Sequence, residues 1–379
     1  MERLKSAIKE SKAHLCLECG KCTSVCPVSH FNKGFSPRVL INRTLRHSSN
    51  NILNDRNIWA CLTCGMCDLR CPADIKYVDL TEATRFEAQK LGEDVICSHG
   101  GAAQAMMRIM TETDLKQKRM EWVDKDLKIS ETGDVLYFVG CMPHFDILFD
   151  DLGVKTVRDA KSSVKIMNYL GIEPVVMPQE RCCGHDLLWS GDLENFKKLA
   201  EYNLNEIKKT GAKKVVFSCP ECYRSFKLDY SKYFDVDFEM QHISELLNDA
   251  LNEGKLKFKE IDKVITFQDS CRLGRHLGIY EEPRNVLKSI PEVKLNDMMR
   301  SRKRSLCCGV SAWMNCSFYS KKIQMMRLKE AKDTGAELFV LSCPKCEVHF
   351  NCAMREEELK GELNIQTEQM VTFIADALI

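Results

Sequence analysis

Cys182-Cys183-Gly184, with Cys141 upstream and Cys219-Pro220-Glu221-Cys222 downstream, is the stretch whose reading decides the fold, because the chain repeats it. The second copy reads Cys271, Cys307-Cys308-Gly309 and Cys343-Pro344-Lys345-Cys346. The intervals nearly match: 40 and 35 residues between cysteine groups in the first copy, 35 and 34 in the second. Each copy therefore holds five cysteines. A tetrahedral zinc takes four ligands and a cubane [4Fe–4S] cluster takes four thiolates, so five exceeds both needs. Either one cysteine per set is spare, or each set holds something other than a zinc or a cubane. The vicinal pair favours the second alternative, since adjacent side chains converge on one centre only when that centre is large or irregular.

Working outward, each copy opens on an apolar run that delivers its first cysteine, DVLYFVGC to Cys141 and KVITFQDSC to Cys271. Helical patterns follow over Val157–Leu170 and Glu281–Ile290, and then the Cys-Cys-Gly turn. A longer helix comes next, NFKKLAEYNLNEIKK or SKKIQMMRLKEAK, and then a second apolar run, KKVVFSC or ELFVLSC, which ends at Cys-Pro-x-Cys and a further helix. Strands alternating with helices at this spacing predict a parallel sheet in each copy. Sites in such sheets form at the carboxyl ends of the strands, where these cysteines fall. The two copies read as similar α/β halves facing across a pseudo-two-fold axis, with one centre from each approaching a shared cleft.

The first 95 residues carry two runs of another kind. They are Cys16-x2-Cys19-x2-Cys22-x3-Cys26-Pro27 and Cys61-x2-Cys64-x2-Cys67-x3-Cys71-Pro72. This is the spacing of two-cluster bacterial ferredoxins, in which the fourth cysteine of each run serves the other run's cluster. Cys16, Cys19, Cys22 and Cys71 are thus assigned to one cubane, and Cys61, Cys64, Cys67 and Cys26 to the other. Paired zinc sites fit poorly, because zinc motifs lack the third CxxC step and the trailing Cys-Pro. Gly20 and Gly65 let the backbone wrap close to the cluster. The 34 residues between Cys26 and Cys61 include SPRVLINRTLRHS, which reads as a helix, as does Asp79–Leu91, so the module is helical rather than β-rich. Two cubanes in such a module lie within electron-tunnelling range, which makes it a wire. The expected fold class is α plus α/β: a ferredoxin-like domain over 1–95, a short helix and linker over 96–134, and repeat domains over 135–260 and 261–379. Met106, Met107 and Met110 read as one face of a small packed helix.

Composition narrows the function classes. A net charge of +1, with 55 basic and 54 acidic residues, lacks the footprint of a nucleic-acid binder. No apolar run reaches the ~18–20 residues of a membrane span, and the N-terminus lacks a signal-peptide core. The expectation is a cytoplasmic protein, or one peripheral on the inner face of the membrane and docked to a membrane subunit. The 21 cysteines in tight groups read as metal ligands in a reducing compartment rather than as a disulfide scaffold. So many iron-ligating thiolates suggest an anaerobe. No GxGxxG follows a strand, so no flavin or nucleotide is expected on this chain.

The doubled Cys…Cys-Cys-Gly…Cys-Pro-x-Cys pattern resembles the CCG domains of heterodisulfide reductase. Fused behind a two-cubane module, it resembles the D-type catalytic subunit of that enzyme, equivalent to its C and B subunits in one chain. QDSCRLGRHLGIYEEPR and SCPECYRSFKLDY are also similar to that family. The resemblance covers nearly the whole sequence. It implies a noncubane [4Fe–4S] cluster in each repeat, held by Cys141, Cys182, Cys183, Cys219 and Cys222 and by Cys271, Cys307, Cys308, Cys343 and Cys346. It further implies two-electron cleavage of the disulfide between coenzyme M and coenzyme B. Departures occur at VSAWMNCSF after Gly309, with Trp313 adding bulk and Cys316 and Cys352 extra; Cys97 also lies outside every motif. They leave the iron–sulfur assignment intact and open the substrate to another thiol or to a partner protein.

Reducing a disulfide consumes two protons, and His185 and His276 stand beside cluster cysteines as candidate donors. His144 and His349 rank below them. Arg181, Arg224, Arg272 and Arg275 are candidates to attract an anionic thiol cofactor, with ordinary salt bridges the competing account. Electrons must come from a flavoprotein, a ferredoxin or a membrane cytochrome subunit. The alternative function is an electron-transfer subunit of a larger flavin-dependent dehydrogenase or electron-bifurcating complex. Retention of all five cysteines in both copies favours disulfide chemistry.

Overall fold

A computed structural model describes residues 2–46, 50–93, 95, 97–356 and 361–379. Short runs rich in β-branched and aromatic residues become strands wherever both of their faces can be buried. Val135–Phe138 (β1), Lys214–Phe217 (β2) and Glu239–His242 (β3) form one parallel sheet with β2 central. Lys263–Phe267 (β4), Val293–Leu295 (β5), Leu338–Leu341 (β6) and Gln366–Gln369 (β7) form a second parallel sheet in the order β5-β4-β6-β7. The paired strands β1–β2 and β4–β6 are those the apolar runs predict. The edge strands β3 and β7 were hidden from a hydrophobicity reading: β3 is Glu-Met-Gln-His and β7 is Gln-Thr-Glu-Gln, polar strands each at one end of its sheet.

The chain gathers into two compact units. One comprises Met1–Ile109, Gly184–Phe196 and Leu306–Arg327; the other comprises Met110–Cys183, Lys197–Ser305 and Leu328–Ile379. In the second unit both sheets share one core, which includes Tyr137, Val216, Ile265, Val340 and Ile374. Helices of the two repeats pack on each other reciprocally: Thr156–Tyr169 lies against Met370–Ala377, and Ile243–Asn252 against Glu282–Lys288. The stretch expected as a linker supplies part of this core, with Trp122 and Leu127 buried in it.

The first unit is helical, as its sequence predicts. Pro37–Arg46 buries Leu40 and Ile41, and the remainder of the expected helix, at His47 and Ser48, lies outside the described residues. Tyr77–Lys90 is buried along most of its length. Its Arg85 is fully buried and donates to four carbonyls: Ile58 (3.0 Å), Trp59 (3.2 Å), Cys61 (2.6 Å) and Trp189 (2.8 Å). The segment around Gly191 passes so close to this helix that a Cβ there would sit 2.7 Å from the Arg85 carbonyl; its φ of +89° also demands glycine. The helix Ala102–Ile109 begins before the methionines and buries Met107, with Met110 buried just beyond it, which makes them packing residues.

His242 closes β3 and caps the helix Ile243–Asn252, its Nδ1 accepting from the Ser244 N–H at 3.2 Å. Burial pushes its pKa down to about 3. The folded value lies below the unfolded one, so above pH ~6.5 the group has no effect, and below it the unfolded chain takes up a proton that the folded chain refuses. Stability should fall from pH 6.5 to pH 5 by up to about 1.4 kcal/mol per pH unit from this group. His242→Asn, which keeps a capping acceptor, should flatten that slope in urea titrations; an unchanged slope would show that His242 is not its source.

Candidate metal centres

Cys16, Cys19, Cys22 and Cys71 line one pocket, together with Cys67 of the second run. Gly20 and Gly65 sit at φ +75° and +72°, each opening the short helix that follows it, which is the turn the two runs require. Cys26 lies with the second run: burial pushes its thiol up to about 12, and the Cys64 and Cys61 sulfurs add to the rise. The Cys67 thiol is raised by burial, then by Asp68 and by Cys61, Cys64 and Cys26. The structure thus brings the fourth cysteine of each run to the other run's sulfurs. Buried thiols crowded in this way ionise only beside a strong positive centre, so the donor set fits an iron–sulfur cluster. The Thr63 N–H donates to Cys61 Sγ at 3.3 Å.

The five cysteines of the first repeat form a continuous thiol chain. Cys141 contacts Cys182, Cys182 contacts Cys183, Cys183 contacts Cys222, and Cys222 contacts Cys219. The bond to Cys182 raises the Cys141 and Cys183 thiols, those to Cys183 and Cys219 raise Cys222, and burial adds to each, so all three lie well above their usual range although the Cys222 contact pulls Cys183 the other way. Gly140 is forced by the crowding: at φ +70°, its Cβ would lie 2.9 Å from Cys222 Sγ. No sulfur stands apart, so the set fits a centre that takes all five.

Buried polar side chains aim this loop. Glu180, fully buried, accepts from the N–H groups of Val139 (3.1 Å) and Gly140 (2.7 Å) and pairs with buried Arg119 at 2.5 Å; Arg119 also donates to the Gly140 carbonyl. Asn203 Nδ2 donates to the Cys182 carbonyl at 3.0 Å, and the Tyr230 hydroxyl to the Cys183 carbonyl at 3.0 Å. Sequence reasoning missed all four residues. Asn203 alone carried a signal, a polar residue in the apolar stripe Leu199, Ala200, Ile207.

In the second repeat Cys271 and Cys343 follow the adjacent parallel strands β4 and β6. Gln369 Nε2 donates to the Cys343 carbonyl (3.2 Å) and to Glu347 Oε2 (2.9 Å). Cys307 and Cys308 belong to the helical unit, where Gln324 Nε2 holds the Cys308 carbonyl at 3.2 Å. At Gly309, φ +83°, a Cβ would meet the Ser320 carbonyl oxygen at 2.8 Å. Trp313 is buried, and its carbonyl accepts from Ser98 N–H and Oγ, both at 2.7 Å.

The two Cys-Pro-x-Cys turns meet. Lys345 Nζ and Glu221 Oε2, their variable residues, pair at 2.6 Å with side chains 4% and 14% exposed. A second link lies beside it, where Arg224 Nε donates to His276 Nδ1 at 3.0 Å and Arg272 Nη1 lies 3.0 Å from His276 Nε2. Two guanidinium groups thus face the two ring nitrogens of His276. His185 has a different setting: buried, with Nδ1 2.9 Å from Asp186 Oδ1. Burial, assisted by Arg119, pushes His144 down to about 4. The four arginines read as candidate anion binders are engaged internally: Arg181 with the Leu115 carbonyl and the Tyr202 ring, Arg224 with His276 and Asp229, Arg272 with His276, and Arg275 with the Ser305 carbonyl.

Family models match these same segments. The cysteine-rich domain model covers residues 135–227 and 265–351, and the 4Fe-4S dicluster domain model covers residues 11–75. The D-type subunit of dihydromethanophenazine:CoB–CoM heterodisulfide reductase from Methanosarcina acetivorans is 30% identical over 98% of this chain and 96% of its own length. The chain belongs to the family of D-type heterodisulfide reductase subunits. It is an oxidoreductase subunit, and the matched domains imply iron–sulfur clusters. Similarity reaches further: the chain is 25% identical to the probable iron-sulfur-binding oxidoreductase FadF of Bacillus subtilis over 97% of its length and 60% of that protein's. A crystal structure of a hypothetical protein from Helicobacter pylori shares the fold, with a TM-score of 0.52 at 13% identity over 90% of this chain and 66% of that one. Among the described residues no helix is long and apolar enough to cross a membrane.

Lys345→Ala removes the ammonium that faces Glu221 in a largely buried position and should cost about 3–5 kcal/mol of unfolding free energy. The exchange Glu221→Lys/Lys345→Glu should recover most of that loss in chemical denaturation. If the exchange is no better than the single change, the pair does not join the two turns.

Proposed function

We propose that this subunit passes electrons through two cubanes to two noncubane clusters, between which a disulfide is reduced. Cys16, Cys19, Cys22 and Cys71 hold one cubane, and Cys61, Cys64, Cys67 and Cys26 the other. The ten repeat cysteines hold the noncubane pair, five to each. When bound, these clusters supply the one-electron steps. The balance is one disulfide, two electrons and two protons giving two thiols. The substrate is the coenzyme M–coenzyme B heterodisulfide or a related low-molecular-weight disulfide, and a separate redox protein supplies the electrons. The meeting of the two Cys-Pro-x-Cys turns through Glu221 and Lys345 carries this reading, because it supports two centres facing one small substrate. The reciprocal packing of the repeat helices supports a pseudo-two-fold relation between the halves.

His185 is the proton donor in this scheme. Asp186 fixes its tautomer through Nδ1, which leaves Nε2 as the nitrogen that exchanges a proton. His276, which accepts from Arg224 and lies against Arg272, is the second candidate donor.

Anaerobically purified protein should contain about 16 iron atoms per chain. Under oxidising conditions it should develop a paramagnetic signal on addition of coenzyme M or coenzyme B. Iron near half that value, with only reduced-cubane signals and no response to thiols, would favour a pure electron-transfer subunit. His185→Gln should slow disulfide turnover about tenfold or more while leaving cubane reduction by dithionite unchanged; unaltered turnover across pH would remove it as a donor.

A further inference from the structure

The two ferredoxin-type runs are near copies in sequence, and the structure treats them oppositely. Leu17, after the first cysteine of run one, is 68% exposed, whereas Leu62, its counterpart, is 2% exposed. Leu15 is 48% exposed against 6% for Ala60. Cys19 is exposed and Cys64 buried. Lys21 is exposed where Met66 is buried. Leu69, two residues before Cys71, is also exposed, at 46%. One cubane site is therefore rimmed by bare leucines, and the other is sealed.

Charge follows the same division. Residues 1–46 carry nine Lys and Arg against three Asp and Glu, in a chain whose net charge is only +1. Four of those nine bases sit in ion pairs, Arg3 with Glu82, Lys12 with Asp74, Arg43 with Asp55 and Arg46 with Glu18, which leaves Lys5, Lys9, Lys21, Lys33 and Arg38 against Glu2 and Glu10. Glu18 accepts from Asn42 (2.5 Å) and Arg46 (3.1 Å), and Asp74 lies between Lys12 (2.8 Å) and Lys76. Lys21 and Arg38 line the same pocket as Leu17 and Cys19, and Glu18 there is already paired with Arg46, so the charge left over beside these residues is basic. A small apolar patch with a basic surround suits brief, charge-steered encounters rather than a permanent interface.

We infer that this face docks a small acidic one-electron carrier protein. The inference rests on the reading that Cys16, Cys19, Cys22 and Cys71 hold a cubane. One electron leaves the carrier's reduced centre and arrives at that cubane; the carrier is oxidised, the cubane is reduced, and no bond or proton changes place.

The test titrates the cluster-loaded protein with an acidic two-[4Fe–4S] ferredoxin by calorimetry, from about 0.02 to 0.3 M salt. The expected result is a Kd that weakens at least tenfold across that range. Lys5→Glu/Lys9→Glu, on the exposed side of the N-terminal helix, should weaken it a further tenfold at low salt, and Leu15→Ser should weaken it separately. Reduction of either variant by dithionite should proceed as before. A Kd indifferent to salt and to both variants overturns the inference. So does charge-dependent binding to phosphatidylglycerol vesicles with none to ferredoxin, or a self-association that Leu15→Ser abolishes. Should ferredoxin bind and reduce the protein while no disulfide is consumed, the docking face stands and the disulfide reading fails. Should dithionite drive disulfide reduction while ferredoxin fails to bind, the reverse holds.

Discussion

The ion pair between Glu221 and Lys345 ties together two segments more than a hundred residues apart, each set between cysteines of its own repeat. A largely desolvated carboxylate and ammonium are costly apart and tolerable only together, so the pair fixes which faces of the two repeats meet. Those faces are the ones that carry Cys219, Cys222, Cys343 and Cys346. The Arg224–His276–Arg272 contact repeats the constraint beside Cys222 and Cys271. Two sheets that share one core would pack in many ways on hydrophobic grounds alone; these polar contacts select the packing that brings the thiols into register.

A second regularity runs through three of the four cysteine sites. Arg85 holds the Cys61 carbonyl, Asn203 that of Cys182, Tyr230 that of Cys183, Gln324 that of Cys308, and Gln369 that of Cys343. Each donor is buried, and each fixes the backbone of a cysteine rather than its sulfur. Fixing the carbonyl sets the direction of Cα–Cβ while leaving the sulfur to its ligand, which is how a site is preorganised without blocking it. The left-handed glycines, at Gly184 after the first vicinal pair and Gly309 after the second, complete the turn.

Much of this was legible in the sequence. The cysteine groups, the parallel strands leading to them and the helical character of the first module follow from spacing and from period, which are local properties. The polar edge strands β3 and β7 were not legible, because their neighbours rather than their composition make them strands. The linker expected before β1 became core because Trp122 and Leu127 find partners only in the folded unit. His276 and the four arginines illustrate the harder limit. Proximity to a cysteine in sequence suggested chemistry, whereas the structure sets Arg224 and Arg272 against His276 and gives Arg181 and Arg275 to backbone carbonyls. The carbonyl donors other than Tyr230, which ends SCPECYRSFKLDY, lie outside the motifs and are chosen by tertiary distance; of these only Asn203, interrupting an apolar stripe, announced itself.

The central claim is that five thiolates of one repeat share one centre. Anomalous diffraction at the iron edge, on crystals grown without oxygen, tests it most directly. The account predicts iron density in the first repeat within bonding distance of the sulfurs of Cys141, Cys182, Cys183, Cys219 and Cys222, with none of the five left over. A four-ligand cubane with one of these sulfurs turned away, or a single zinc in its place, would contradict it.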